Sequence, residues 1–223
     1  MCPVHETSET FDWRVSAEVV ERILEDEELV LHEKGHHFVS TAELEGQPRS
    51  EVFMPEVAPV ADRSPQTYID EWSDELGDHL VILIQAGAAA LGWWEEDELI
   101  HSKVLKAYVV RGRGRAQTIY AKTKGKSRYG SRLRLQNAQK HLIEINERLE
   151  EWWSECGDAD RVFYSCPQRM WPELFSARPA PPFDQRDERL SKVPIHVHTP
   201  NTDELLRVRR KLTRGRAIRR EVE

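Results

Sequence analysis

Residues 80–110 read LVILIQAGAAALGWWEEDELIHSKVLKAYVV, and this stretch decides the fold. The run from Leu80 to Ala86 is apolar, rich in β-branched residues and short enough for a buried central strand. Two further strands are expected at Ala88 to Trp94 and at Leu99 to Val110, separated by the acidic turn Glu95 to Glu98. The stretch therefore predicts an antiparallel meander of three strands.

Downstream of the meander, the apolar spacing changes to that of a helix. A helix is expected from Ser131 to just before Gly157, because apolar residues recur there every three or four positions. The stripe consists of Leu135, Ala138, Leu142, Ile145, Leu149 and Trp152. The later elements are a strand at Arg161 to Ser165, a short helix from Pro172, a strand at Val193 to Val197 and a helix at Thr202 to Leu212. A meander followed by αβαβα predicts an α/β (α+β) fold, a mixed β-sheet with flanking helices.

The part of the chain before the meander divides at a proline-rich stretch. Residues 1–63 are predicted to be an acidic, β-containing appendage, and residues 64–223 to be the main domain. The expected elements are a short helix at Val15 to Leu24, a hairpin at Leu29 to Thr41, and a helix from Ser64-Pro65 to about Leu76.

Composition points to a protein of the cytoplasm that does not enter membranes. The longest uncharged run, Leu80 to Trp94, is too short to span a bilayer. The first residues are polar and acidic, unlike a signal peptide. Three cysteines without CxxC spacing are most simply reduced thiols.

The net charge of -7 conceals a strong asymmetry along the chain. Residues 1–100 carry 24 acidic side chains against 5 basic ones, whereas residues 101–150 carry 13 basic side chains against 3 acidic ones. A concentrated basic block in an acidic chain indicates a local site for a polyanion.

The centre of this block is a loop expected from Arg111 to Gly130, with seven cations and no acid. The cations are Arg111, Arg113, Arg115, Lys122, Lys124, Lys126 and Arg128, and the glycines are Gly112, Gly114, Gly125 and Gly130. Glycine lets the backbone approach a phosphate chain closely. Because the cations repel one another, we expect a long mobile loop until a polyanion such as RNA neutralises it. Arg132 and Arg134, at the start of the next helix, extend the predicted RNA-binding set.

Several short motifs carry a family resemblance, and they occur in one collinear order. They are Leu80 to Gly87, Lys106 to Arg111, Gly114-Arg115-Ala116-Gln117, Gly130 to Arg134 with Asn137, Asp187 to Leu190, Lys192 to Pro194, Thr199-Pro200 and Glu204-Leu205. Through these motifs, residues 79–223 resemble the release-factor-like domain of the Vms and ankyrin-zinc-finger proteins of ribosome quality control, which has single-domain bacterial relatives. That domain is related to the catalytic middle domain of eukaryotic and archaeal peptide release factors.

The resemblance implies a peptidyl-tRNA hydrolase that acts on stalled ribosomal nascent-chain complexes. Gln117 stands where the release factors have the glutamine of Gly-Gly-Gln, and Ala116 stands in the small-residue position before it. The implied partners are the large ribosomal subunit with its rRNA and peptidyl-tRNA. The protein is expected to act as a monomer in the cytoplasm, without a cofactor.

Two other functions remain open on the same loop. Arg115-Ala116 replaces Gly-Gly before the glutamine, and some members of the Vms class resemble nucleases that cut tRNA near its 3′ CCA end. In that case Arg111 or Arg113 would stabilise the pentacovalent phosphate. The loop could also be a non-catalytic ribosome- or RNA-binding module, or a basic linker without chemistry. No metal site is expected, because neither the central strand nor the loop carries a carboxylate.

A fourth function is indicated by His32-Glu33-Lys34-Gly35-His36, which matches the H-E-x-x-H pattern of zinc metalloproteases. The pattern binds zinc only on a helix, where both histidines share a face. The flanking residues have strand character, so a hairpin turn is the favoured interpretation. Finally, the tail from Arg207 to Arg220 has eight basic residues, interpreted either as an rRNA contact or as the frayed end of the last helix.

Overall fold

The computed structural model describes residues 4–33, 37–59, 63–108 and 127–222, with side chains in the long central helix from Arg132 onward. The strands are β1 Val4–Asp12, β2 Leu29–Leu31, β3 His37–Ser40, β4 Glu43–Leu44, β5 Gln47–Pro48, β6 Ser50–Phe53, β7 Asp78–Gln85, β8 Ala88–Glu95, β9 Glu98–Lys106, β10 Arg161–Ser165, β11 Leu190–Lys192 and β12 Arg214–Val222. The helices are α1 Ser16–Leu24, α2 Pro65–Asp70, α3 Ser127–Cys156, α4 Met170–Ser176 and α5 Thr202–Leu212. This mixture of helices and strands confirms the predicted α/β class.

The chain forms two compact units. One comprises Met1–Leu76 and Arg209–Glu223, and the other comprises Gly77–Val208. The division expected from the sequence, at residues 63 and 64, differs from these units at helix α2 and at strand β12. Both of those elements belong to the N-terminal unit.

The sheet of the second unit is mixed, as the sequence predicts. Its strand order is β11-β10-β7-β8-β9. Strand β7 pairs antiparallel with β8, and β8 pairs antiparallel with β9, which confirms the predicted meander. Strands β11, β10 and β7 run parallel to one another. The most apolar strand, β7, is therefore central and has all its inner residues buried.

Helices cover both faces of this sheet. Alternate residues of β7 and β8 form one buried cluster with the apolar residues of α3 and α4. Within that layer the fully buried Asn146 of α3 donates hydrogen bonds to the carbonyl oxygens of Leu174 and Pro179, both at 2.8 Å. On the opposite face, a side-chain methyl of Leu205 from α5 lies 3.0 Å from where a Cβ on Gly92 would be. The Trp94 ring is closer still, at 2.5 Å, so glycine at this position leaves room for both Trp94 and α5 beside β8.

Helix α3 starts earlier than predicted, and its first part is not buried. It begins at Ser127 rather than Ser131, and Leu135 at the head of the predicted stripe is 63% exposed. The buried stripe runs instead from Leu142 to Trp152. Because a helix rises about 1.5 Å per residue, Leu135 lies about 10 Å before Leu142 along the axis. Periodicity identifies the apolar side of a helix, but it does not show where the covering sheet ends.

The N-terminal unit contains a second sheet, with strand order β1-β12-β6-β3-β2. The basic tail forms β12, at an inner position between β1 and β6. The interpretation of the tail as a frayed helix end is therefore wrong. Arg220, only 10% exposed, bridges Glu6 at 3.0 Å and Glu51 at 2.9 Å. These two carboxylates neutralise the positive charge of Arg220, which from the sequence alone would be expected to face water.

Three element boundaries also differ from the sequence prediction. Ser64 caps α2 as expected, but the helix ends at Asp70 rather than near Leu76, because the acidic residues that follow oppose the dipole at a helix C-terminus. Strand β9 ends at Lys106 rather than at Val110, the last two predicted residues lying outside the described residues. The strand expected at Val193 to Val197 lies earlier, at β11. The Val193 N–H donates the last bond to Tyr164 O at 2.9 Å, and Pro194 then has no N–H to continue.

Candidate nucleic-acid interface

Most of the predicted site residues lie outside the described residues. Residues 109–126 contain the predicted catalytic group Gln117, Arg111 and Arg113, the cations Arg115, Lys122, Lys124 and Lys126, and the backbone positions Gly112, Gly114, Ala116 and Gly125. Arg128 and Gly130 lie in the first turns of α3, so the helix takes up the end of the predicted loop. Of the predicted set, Arg132 and Arg134 are those with described side chains.

Hydrogen bonds link the residues before this basic segment to the helix that follows it, at the end of the β7–β8–β9 meander where β9 stops. At the end of β9, the Ala107 N–H donates to the carbonyl oxygen of Gly87 in the β7–β8 turn at 2.9 Å. The side-chain amide of Asn137 on α3 donates to the carbonyl oxygen of Tyr108, also at 2.9 Å. The last described residue before the segment is therefore tied to the helix that follows the segment.

The surface around this junction is cationic and partly apolar. Arg132 and Lys140 are exposed, and Arg134 is partly buried. Three large apolar side chains are also exposed, namely Tyr108 at 63%, Leu135 at 63% and Leu133 at 40%. From Leu99 to Tyr108 and from Ser127 to Ile143 the sequence contains no carboxylate. This combination of cations and exposed apolar groups is typical of surfaces that bind nucleic acids.

His141 lies directly below this surface and is buried, with 1% exposure. Burial lowers the pKa of the imidazole below its ordinary value, and the nearby Glu144 carboxylate and a backbone hydrogen bond with Ala88 oppose this only partly. The neutral form is therefore favoured. His141 is therefore a packed side chain that adds no positive charge at neutral pH. The positive charge of the surface comes from its arginines and lysines.

A polar cluster lies at the same end of the β7–β8–β9 meander. Gln85, the last residue of β7, donates from its side-chain nitrogen to the carbonyl oxygens of Val197 at 3.0 Å and His198 at 2.9 Å. The His198 N–H donates to Glu204 Oε1 at 2.6 Å. Arg207 donates from Nε to Glu204 Oε2 at 2.8 Å. These bonds fix the segment between β11 and α5 beside the end of the central strand.

Charge pairing dominates the electrostatics of this cluster. The hydrogen bond from Arg207, and to a lesser extent the backbone bond from His198, lower the pKa of Glu204 to about 2 although burial acts against them. Glu204 is thus a carboxylate at neutral pH, and its partners leave it no role as a proton acceptor. The cluster is a support for the edge.

Sequence reasoning missed the roles of Gln85 and of Glu204. The signal for Gln85 is that it is the one polar residue in the apolar run Leu80 to Ala86, placed where the strand ends. For Glu204 the signal is its position three residues after Asn201, whose side chain accepts the Glu204 N–H at 2.8 Å. This is the spacing of a capping box, although Glu204 reaches back to His198 rather than to Asn201.

The first histidine of the metalloprotease pattern, His32, does not lie on a helix. His32 directly follows β2, and its N–H donates to the carbonyl oxygen of His37 at 2.9 Å, closing the hairpin of β2 and β3. The predicted hairpin is thus confirmed, while Lys34, Gly35 and His36 lie outside the described residues. In the described part of the chain, no three His, Cys, Asp or Glu side chains are grouped to hold a metal ion. Within the same residues, no helix has the length and apolar character needed to cross a membrane.

Comparisons with known proteins identify the family. The sequence profile of the Bacteroidetes VLRF1 release factors matches residues 79–220, which is more than half of the chain and spans the whole basic segment. Among solved structures, one described as the Vms1 mitochondrial localization core is similar, with a TM-score of 0.48, 10% identity, and coverage of 95% of this chain and 84% of that one. No curated protein matches the chain. By the profile match, the chain belongs to the family of Bacteroidetes VLRF1 release factors.

Proposed function

We propose that this protein releases nascent chains from stalled ribosomal complexes by hydrolysing peptidyl-tRNA, with Gln117 as the catalytic residue. The observation that carries the proposal is the profile match over residues 79–220. The matched range belongs to a family of release factors, and it contains Gln117 and the basic residues on either side of it. The hydrogen bond from Asn137 to Tyr108 supports it, since it ties the residue that leads into the basic segment to the helix that follows the segment.

The proposed reaction needs little from the protein beyond placement. Ester hydrolysis requires a water molecule beside the peptidyl carbonyl carbon and a donor for the oxyanion that develops on the carbonyl oxygen. The side-chain amide of Gln117 would orient the water, and its backbone N–H would donate to the oxyanion. The water loses a proton to solvent or to the leaving 3′-oxygen of the tRNA, so no strongly basic side chain is needed.

The cations of the basic segment would bind the phosphates of the acceptor stem. Such contacts fix position without reading sequence. On helix α3, Arg132, Arg134 and Lys140 would add further cations for this contact. The expected partners are accordingly the large ribosomal subunit with its rRNA and peptidyl-tRNA, and the expected place of action is the cytoplasm, with the protein acting as a monomer.

One sequence feature favours a second candidate, cleavage of the tRNA near its 3′ end. Arg115 and Ala116 stand where release factors have two glycines, and an arginine two positions before the glutamine is suited to a phosphate at the reaction centre. In that reaction a ribose 2′-oxygen attacks the adjacent phosphorus, the bond to the 5′-oxygen breaks, and Arg111 or Arg113 stabilises the pentacovalent phosphate.

The decisive experiment examines the tRNA after incubation of the protein with peptidyl-tRNA on isolated large subunits. Free peptide with an intact CCA end supports hydrolysis, a shortened tRNA supports the nuclease, and no reaction with retained binding supports a binding module. Gln117→Ala is expected to abolish release and to leave ribosome binding nearly unchanged. Gln136→Ala, at an exposed position of α3, is the matched control. Full release activity in Gln117→Ala would reject the role of Gln117.

A further inference from the structure

Tyr108 is an exposed aromatic side chain on a fixed backbone. Its residue is 63% exposed, although the carbonyl oxygen is bound by Asn137 at 2.9 Å and the preceding Ala107 is bound to Gly87 at 2.9 Å. An aromatic ring that remains in water forgoes the stabilisation that burial of its apolar surface would give. This arrangement presents a ring that is available for a partner.

The neighbours of the ring follow from the position of Asn137. On a helix, residues three and four positions apart share a face. Leu133 and Arg134 precede Asn137 by four and three positions, and Lys140 follows it by three. Because the Asn137 side chain reaches the Tyr108 carbonyl oxygen, these three side chains lie on the helix face that borders Tyr108. We call Tyr108, Leu133, Arg134 and Lys140 the Tyr108 platform.

The platform has the charge of a surface for a polyanion. Its two cations and the exposed Lys106 at the end of β9 have no carboxylate within residues 99–108 or 127–143 to neutralise them. The nearest acid on the helix is the exposed Glu144, which follows Lys140 by four positions and Arg134 by ten. A flat apolar group between cations suits a nucleotide, whose base is apolar on its faces and whose phosphate is anionic.

We propose that the Tyr108 platform binds an unpaired RNA nucleotide, with the base stacked on the Tyr108 ring against Leu133 and the phosphates held by Arg134 and Lys140. This inference rests on the proposed function, because it names the part of the RNA that the Tyr108 platform would recognise. The ring requires an unstacked base, since both faces of a base in a duplex are already covered. The platform therefore distinguishes single-stranded RNA from double-stranded RNA.

The test measures binding of the full chain to a short oligouridine and to a blunt RNA duplex of the same length. Tyr108→Ala is expected to weaken oligouridine binding about tenfold or more and to change duplex binding little. Tyr108→Phe keeps the ring and is expected to bind like the wild type. Ile100→Ala, which shortens another exposed apolar side chain of β9, is the matched control and should have no effect.

Salt dependence separates stacking from charge contacts. The slope of log affinity against log salt should be unchanged in Tyr108→Ala and should fall by about 0.7 in Lys140→Ala, because only the lysine neutralises a phosphate. Thermal unfolding of each variant shows whether the fold is intact. Wild-type oligouridine affinity in a folded Tyr108→Ala, or an equal loss in Tyr108→Phe, would overturn the proposal.

The outcome for the platform is distinguishable from the outcome for the proposed function. If Tyr108 variants bind oligouridine normally while Gln117→Ala loses peptide release, the platform is rejected and the function stands. If Tyr108→Ala loses single-strand binding in a protein that releases no peptide, the platform stands and peptidyl-tRNA hydrolysis is rejected.

Discussion

Asn137 donates a hydrogen bond from its side-chain amide to the carbonyl oxygen of Tyr108 at a distance of 2.9 Å. The two residues are 29 positions apart, and the whole basic segment lies between them in the sequence. A single side chain thus joins the end of strand β9 to helix α3. Asparagine is suited to this position because its amide nitrogen donates while the side chain carries no charge.

Replacing Asn137 is expected to affect release more than stability. Asn137→Ala should lower the free energy of unfolding by only about 0.5–1.5 kcal/mol, because the bond is exposed to water. Release should slow more strongly, since the residue that leads into the basic segment then loses its hydrogen bond to the helix that follows the segment. Urea unfolding and single-turnover release from stalled complexes are the measurements.

Asn137→Asp provides the sharper comparison, because the carboxylate has nearly the same shape but cannot donate to a carbonyl oxygen. It should lose release at least as strongly as the alanine variant. Gln136→Ala, at the adjacent exposed position, should retain both stability and activity. Normal release in both Asn137 variants would show that the junction has no part in the function.

The lysines of the basic segment are expected to act by neutralising phosphates. Changing Lys122, Lys124 and Lys126 together to alanine should weaken RNA binding and reduce the salt slope by about 0.7–0.9 for every phosphate that is no longer neutralised. Affinity measured over a range of salt concentrations gives the slope. Changing Arg169 and Arg186, two exposed cations in the segments before and after α4, removes charge from other positions and should leave the slope nearly constant. An unchanged slope in the lysine variant would mean that these side chains face solvent in the complex.

The parts of the fold that local pattern determines could be predicted from the sequence. Strand β10 and helix α5 have the predicted boundaries, Arg161–Ser165 and Thr202–Leu212, because a short apolar run and a helical apolar spacing are both local features of the sequence. The meander was predictable for the same reason. Its turns contain Gly87 and the acidic residues after Glu95, which interrupt the apolar runs.

Long-range pairing could not be predicted in this way. Strand β12 pairs with β1 in a register that joins Val222 to Val4, and nothing in the local composition of either segment indicates its partner. The contact of Gln85 with His198 likewise depends on chain segments that meet only in the folded protein. For the candidate site, Gln117 stays a prediction, because residues 109–126 lie outside the described residues.

His141 is expected to make stability depend on pH. Burial lowers the pKa of the folded imidazole, so the unfolded chain, titrating near 6.5, takes up the proton first. The stability that depends on neutral His141 is therefore present above pH 6.5 and decreases as the pH falls below it, by at most about 1.4 kcal/mol per pH unit. His141→Phe should flatten this part of the dependence, whereas Lys140→Gln should not. Urea unfolding at several pH values between about 7.5 and 5.5 tests the effect, and an identical slope in His141→Phe would contradict it.

Glu204 is expected to contribute stability that disappears only in strong acid. Its folded pKa of about 2 lies below the ordinary value of 4.5, chiefly because Arg207 donates to the carboxylate. The contribution is therefore complete above pH 4.5 and is lost as the pH falls toward 2. Glu204→Gln should remove it at every pH and lower the free energy of unfolding at pH 7 by about 2 kcal/mol or more, since bonds to a charged group are broken.

The matched control for Glu204→Gln is Asp203→Asn, because it removes the same charge from the same first turn of α5 at an exposed position. Asp203→Asn loses only the favourable interaction with the helix dipole, about 0.3–1 kcal/mol. If Glu204→Gln cost no more than Asp203→Asn, the carboxylate would act through the helix dipole alone. A larger cost, together with a weaker dependence of stability on pH below 4.5, would assign the effect to its bonds with Arg207 and His198.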